Sequence, residues 1–265
     1  MILVPNRHFN WMPRLTTSRK LSTKHVLRDG LYTIPLLCDD FVEGSQLMIK
    51  NKNKNKSTIR NQIIQAANVY QNHLAGKVFL FVYGDNYFEV VFRTDSFLHL
   101  TGVESMLSAS NFYQKAINRK LTQRQFIFTP NHPYRRVKAK LPCLISLPQL
   151  TTTLSCVIRN FTTVSLTYTI GLTNLKFTLG LTENLDLYGN KINDWFIPRT
   201  LRVNDNAIDN SSDADFIDFV FAKNASESKY SSISFKSQNK SFSKNIYHLL
   251  EPSLIDQCEK TVCIK

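Results

Sequence analysis

Val78-Phe79-Leu80-Phe81-Val82-Tyr83-Gly84-Asp85-Asn86-Tyr87-Phe88-Glu89-Val90-Val91-Phe92-Arg93 is two apolar runs on either side of a three-residue punctuation. Gly, Asp and Asn accept the positive φ that tight hairpin turns require, so the stretch predicts two antiparallel strands. The second run alternates, with Phe88, Val90 and Phe92 directed one way and Glu89, Val91 and Arg93 the other. Phe97-Leu98-His99-Leu100-Thr101-Gly102 follows within a few residues. Histidine, hydroxyl and glycine so close together pose one question for the rest of the chain: do they form a site or a core?

The chain has 265 residues, 43% of them hydrophobic, enough for one large domain or two small ones. Eighteen Phe and ten Tyr favour β structure. The apolar runs are of strand length, and Met1-Ile2-Leu3-Val4-Pro5 lacks the pattern of a signal peptide, which predicts a soluble cytoplasmic protein with no membrane partner. Cys38, Cys143, Cys156, Cys258 and Cys263 have no metal or redox spacing and read as reduced thiols.

A net charge of +13 points to a polyanionic partner, most often nucleic acid. From Ser105 to Thr182 there is no Asp or Glu, while Lys115, Arg119, Lys120, Arg124, Arg135, Arg136, Lys138 and Lys140 accumulate. Asp205, Asp209, Asp213, Asp215 and Asp218 crowd a later segment.

Residues 1–58 carry scattered prolines, a candidate strand at Gly30–Leu37 and the run Lys50-Asn51-Lys52-Asn53-Lys54-Asn55-Lys56, which has little apolar area to bury and predicts a flexible linker. Ser57 or Thr58 is placed to cap a helix. Ile59, Ile63, Ala66, Ala67, Tyr70 and Leu74 give that helix one apolar face, and Gly76 ends it. A second helix is expected over Phe112–Lys120, an irregular loop over Thr129–Tyr134, and a helix broken at Pro148. From Cys156 the period becomes two, with strands expected at 156–159, 164–170, 175–181, 195–203, 216–221 and 230–235. The expected domains are 1–58 (N-terminal segment), 59–236 (the folded domain) and 237–265 (a C-terminal tail). The fold class is α+β, with N-terminal helices packed on a twisted antiparallel sheet.

Several chemistries lack their motifs. There is no phosphate-binding Gly-rich loop, His-Glu-x-x-His, paired-Cys or EF-hand pattern. Asp213, Asp215 and Asp218 read as a polar loop entering a strand, so no metal or other cofactor is expected. Taken alone, a histidine flanked by leucines reads first as a core residue. It is also the side chain best suited to move protons near neutral pH.

The stretch from Ile63 to Lys120, with its helix, hairpin, Phe97-Leu98-His99-Leu100-Thr101-Gly102 and Phe112-Tyr113, resembles the phage-associated nuclease domains of the barnase–EndoU–colicin–RelE superfamily. Phe196-Ile197-Pro198-Arg199-Thr200-Leu201, Phe216–Lys223 and Lys229-Tyr230 resemble that family's later strands. The similarity covers about residues 60–236 and implies a BECR-like fold and metal-independent RNA cleavage. In that chemistry the RNA 2′-hydroxyl attacks its own phosphate and leaves a 2′,3′-cyclic phosphate and a 5′-hydroxyl. By position, His99 is the acid or base, Arg199 or Lys223 stabilises the phosphate, and Thr101, Thr200 and Tyr230 orient it. Lys or Tyr, or alternatively His132 swinging in, supplies the second proton-transfer group. Arg93, Lys115, Arg119, Arg135, Arg136 and Lys138 are the candidate RNA-binding cations, and Tyr113 and Tyr134 are candidates to stack on bases. The implied partners are RNA, with tRNA and mRNA as candidate targets, and an antitoxin or immunity protein. The competing readings are a basic nucleic-acid-binding module without catalysis and a structural protein of a mobile element.

Overall fold

The apolar stripe that begins at Ile59 is the inner face of a helix much longer than the stripe. α1 runs Asp39–His73 in the computed structural model, which describes residues 39–162, 167–186, 188–203, 211, 213–238 and 240–260. The chain divides into two units, 1–45 and 46–265, and of the first only the opening of α1 is described. The expected strand at 30–37, Cys38, Cys263, Asp205 and Asp209 lie outside the described residues.

The Lys/Asn run is not a linker but part of α1. Extending an existing helix adds one hydrogen bond per residue fixed, and lysine is a good helix former, so low apolar content does not forbid it. Lys56 also holds that turn in place. Its Nζ donates to the Gln123 carbonyl at 3.0 Å and lies 5.5 Å from the centre of the Phe126 ring. Ile59, Ile63, Ala66, Ala67, Tyr70 and Leu74 are all buried.

The expected hairpin is β1 (Lys77–Tyr83) and β2 (Asn86–Val91), turned by Gly84 at φ 54°. Phe88 and Val90 join one core, and Val91 faces the other. Next come α2 (Phe97–Thr101), β3 (Glu104–Ser105), α3 (Ala109–Ile117), β4 (Phe126–Ile127), α4 (Tyr134–Ile145) and α5 (Gln149–Thr152). The strands that follow are β5 (Cys156–Thr162), β6 (Thr167–Thr173), β7 (Phe177–Leu185), β8 (Lys191–Val203), β9 (Asp213–Phe216), β10 (Phe219–Asn224) and β11 (Ser232–Lys236), and α6 is Pro252–Lys260.

The main sheet has the order β11-β10-β1-β2-β8-β7-β6-β5-β9, antiparallel throughout except for β2–β8, which pair in parallel at Val90 and Phe196. β9 and β10 stand near opposite ends of that order, yet only Ile217 and Asp218 separate them in sequence. Ile217 N donates to Ser155 O at 2.9 Å, and Asp218 N donates to Val82 O at 2.8 Å. Consecutive amides of an extended chain point to opposite edges. One segment, 213–224, therefore holds β5 on one side and β1 on the other, and the sheet bends round on itself.

One face of the sheet shares a core with α1 to α4, including Tyr70, Phe97, Phe112, Tyr113, Leu141, Phe79, Phe92, Leu179 and Leu201. The other face carries Val78, Leu80, Val82, Phe219 and Phe221, and it is covered by what was expected to be a tail. Ile246, Leu250, Leu254 and Cys258 close that second core. The backbone is tied in as well: Tyr230 N donates to Leu249 O at 2.8 Å and Glu251 N to Tyr230 O at 2.9 Å. Leu250→Ala should accordingly cost about 2–5 kcal/mol, as large-to-small core substitutions do. A urea midpoint unchanged by that substitution would show that the segment covers nothing.

Candidate active site

α2 is short, and its sequence sets its orientation. Phe97, Leu100 and Thr101 are buried at i, i+3 and i+4, which turns His99 outward to an exposed position. The Thr101 hydroxyl donates to Leu98 O at 2.7 Å and accepts from Val103 N at 3.3 Å, so it closes the helix instead of facing solvent. Gly102 ends α2 at φ 73°, and a Cβ there would lie 2.9 Å from Lys140 Cδ. Both the left-handed backbone and the space for Lys140 require glycine at this position.

β8 brings Arg199 toward His99. Gly180 pairs with Thr200 and Leu181 with Pro198, leaving Arg199 as the extra residue of a β-bulge. Such bulges re-aim side chains. The loop after β4 brings His132. Thr129 and His132 exchange backbone hydrogen bonds at 3.0 and 3.2 Å, and the Thr129 hydroxyl donates to Glu104 Oε1 at 2.7 Å. His132 Nε2 lies 3.8 Å from that same carboxylate oxygen.

These groups act on one another electrostatically. The His99 pKa is lowered from its ordinary value, first by partial burial, then by the Arg199 guanidinium, with Asp95 opposing and His132 adding to the effect. His99 is thereby kept neutral further into the acid range, as a proton acceptor requires. Arg199→Ala should raise the His99 pKa and move the acid limb of a pH–rate profile to higher pH. Initial rates on a short RNA across pH 5–8 would show it, and an unmoved acid limb would separate Arg199 from His99.

Beneath α2 lies a second group. Lys140 projects from the apolar face of α4 with Val137, Leu141 and Leu144, and is 8% exposed. Its Nζ would stand 3.3 Å from a Cβ at Gly102. Burial, then Arg202 and Arg136, lowers its pKa to about 8. Arg136 Nη1 donates to Asn131 O at 3.2 Å, joining this cluster to the His132 loop. α2, α4, β8 and the loop at 129–133 thus bring two imidazoles and several cations to one side of the sheet.

The remaining expected residues lie elsewhere. Thr200 turns to the opposite side of β8, where its Cγ2 would be 2.7 Å from a Cβ at Gly180, next to Phe161 and Tyr168. Lys223 sits opposite Val78 and belongs with Tyr230 to the second face. Its Nζ is 3.9 Å from Glu89 Oε1 and 4.6 Å from the centre of the Tyr230 ring. The Tyr230 hydroxyl donates to the same carboxylate oxygen at 2.5 Å, and burial followed by Glu89 pushes its pKa far above the ordinary phenol range. Of the two cations expected to stabilise a phosphate beside His99, Lys223 is thus misplaced: strand alternation puts it behind the sheet, where it offsets the half-buried Glu89 carboxylate.

Arg93 is engaged by Asp95, at 2.5 Å, and by Asn184, at 3.1 Å. Arg135, Arg136 and Lys138 are exposed on α4, Arg119 is exposed after α3, and Lys115 is half-buried. Tyr113 is buried, and its hydroxyl donates to Gln71 Oε1 at 2.7 Å, so it does not stack on a base. Asp215 is paired with Arg159, and Asp218 accepts from Gly84 N at 2.9 Å and pairs with Lys240 at 3.2 Å.

The fold is mixed α/β with a large, mostly antiparallel sheet. Residues 62–239 match the family described as phage-Barnase-EndoU-ColicinE5/D-RelE like nuclease4, and the chain belongs to that family. Neither the curated proteins nor the solved structures include a match. No described helix is long and apolar enough to cross a membrane.

Proposed function

We propose that the protein is an endoribonuclease that cleaves RNA by internal transesterification, with His99 and His132 as its proton-transfer pair. The observation that carries this reading is that β8, with Arg199 at its bulge, packs against α2, and that Arg199 and His132, both far from His99 in sequence, act on its charge. His99, neutral at physiological pH, takes the proton of the 2′-hydroxyl as that oxygen bonds to phosphorus. The P–O5′ bond breaks, and His132, which lies 3.8 Å from Glu104, gives a proton to the departing oxygen. The products are a 2′,3′-cyclic phosphate and a 5′-hydroxyl, and proton exchange with water resets both rings. Arg199, seconded by Arg136 and Lys140, stabilises the charge on the phosphoryl oxygens. The reaction as written uses no metal.

In the same reading the protein is a toxin-like effector of a phage or mobile element that acts in the cytoplasm on tRNA or mRNA and is restrained by an antitoxin. The phage-associated family supports this assignment. The test is to incubate purified protein with an RNA oligonucleotide in EDTA and identify the ends by mass spectrometry. Cyclic-phosphate ends, with a fully 2′-deoxy oligonucleotide left intact, are expected. Cleavage that EDTA abolishes, or that also cuts the deoxy strand, would refute the mechanism.

A further inference from the structure

α1 and the loop after α3 enclose a groove of about 970 Å³ lined by Lys56, Arg60, Arg119, Lys120 and Arg124, with no acidic residue in its wall. Two of these cations build it. Arg60 Nε donates to Leu121 O at 2.6 Å and Lys56 Nζ to Gln123 O at 3.0 Å, which clamps the loop to the helix. A capping box between Thr122 and Gln125 stiffens the loop further. The other three cations line its mouth. Arg119, Lys120 and Arg124 are exposed, and among the described residues none of them forms an ion pair.

The backbone at Arg119 is unusual. It has φ 57° at the end of α3, a position that glycine or asparagine ordinarily fills. A side chain with a Cβ is strained there, because the left-handed backbone brings that carbon too close to the following carbonyl oxygen. The groove therefore keeps a guanidinium where the helix end alone would favour glycine. Like charges held together without counter-ions in a stiff wall repel one another, and a bound chain of phosphates relieves that repulsion.

We infer that this groove is a second RNA site, which holds backbone phosphates of the substrate away from the bond that is cut. The inference rests on the ribonuclease reading. The short β3–β4 ladder connects the two places: Ser105 and Phe126 pair toward the groove side, and Glu104 and Ile127 pair toward the His132 loop. Arg124 and His132 are eight positions apart, at most about 29 Å along an extended chain. A single RNA strand can thus occupy both. An acidic protein is the rival occupant. Groove walls that present separate guanidinium and ammonium groups, with no apolar centre apart from Leu121, favour a phosphate chain.

The probe is a labelled 2′-O-methyl RNA of about 20 nucleotides, which lacks the attacking hydroxyl, with binding followed by fluorescence anisotropy across salt. The combined variant Arg119→Asn, Lys120→Gln, Arg124→Gln should bind it 10- to 100-fold more weakly than wild type. Its log–log salt slope should be shallower by about 2, at roughly 0.7 for each phosphate no longer neutralised. Cleavage of a trinucleotide, which has one phosphodiester besides the bond that is cut, should change far less. Should the combined variant not fold, Lys120→Glu alone should still weaken binding several-fold. Unchanged affinity and slope would overturn the site, as would equal loss on the trinucleotide or equally tight wild-type binding of polyglutamate. If wild type cuts no RNA while the variant still loses affinity for the long probe, the nuclease reading fails and the groove stands.

Discussion

Replacing His99 by alanine leaves the protein folded and lowers RNA cleavage by about 10²- to 10⁴-fold, the usual contribution of a positioned acid–base group. Folding survives because the side chain is exposed, while the contacts that hold α2 belong to Phe97, Leu100 and Thr101. His132→Ala should produce a loss of the same order by removing the other proton-transfer group. The double variant should lose little more than the worse single one, because a proton relay fails as a unit. The pH–rate profile reports on His99, whose loss removes the acid limb. Anisotropy with the uncleavable RNA should stay within a few-fold of wild type for both. A His99→Ala protein that melts early or binds no RNA would mean that the histidine serves the fold.

Lys140→Met should make the protein more stable and less active. At neutral pH the amine is held charged in a buried place, with Arg202 and Arg136 as its charged neighbours. A folded-state pKa of about 8 against an ordinary value of 10.5 means that the unfolded chain binds the proton more tightly. The stability cost is fully present below pH 8 and is relieved as pH rises from 8 towards 10.5. It amounts to about 3 kcal/mol at pH 7, from roughly 1.4 kcal/mol per pKa unit. Methionine fills nearly the same volume without charge and removes most of that cost. Urea midpoints at pH 7 and pH 10 should differ between the two proteins chiefly at pH 7. In cleavage assays the variant should lose about 10-fold or more, because a phosphate would be the counter-ion that this amine lacks among the described residues. A variant less stable than wild type at pH 7 would show that Lys140 already has its partner in the fold.

The elements that the sequence made legible are those governed by local periodicity. The 59–74 stripe, the 78–93 hairpin and the alternation from Cys156 each follow from side chains sorting between a core and water. The run 216–221 looked like one strand because alternation does not register a change of partner. The chain switches from β5 to β1 at Ile217 and Asp218 without breaking the pattern. The Lys/Asn run misled for the opposite reason, since composition reports burial and not whether a helix continues through. His99 was legible through the residues around it, and Arg199 through its strand. His132 stood only as one alternative for the second group, because its 3.8 Å approach to Glu104 depends on the β3–β4 ladder, whose strands are two residues each. Lys140 did leave a trace: it occupies an inward position of the 137–144 stripe, where a lysine is out of place unless something uses it.

The segment 213–224 has a consequence in time as well as in space. Without it, the half of the sheet formed by β1 and β2 meets the half formed by β5 to β8 through a single parallel pairing, Val90 with Phe196. His99 follows the first half and Arg199 belongs to the second, so their approach depends on that clasp being fastened. The clasp is synthesised after both, and its pairing with β1 reaches back across more than half the chain, which makes it a slow, late step in folding. In the ribonuclease reading proposed above, a nascent chain still on the ribosome would therefore carry every residue of the candidate centre and yet be unable to cut the message being read.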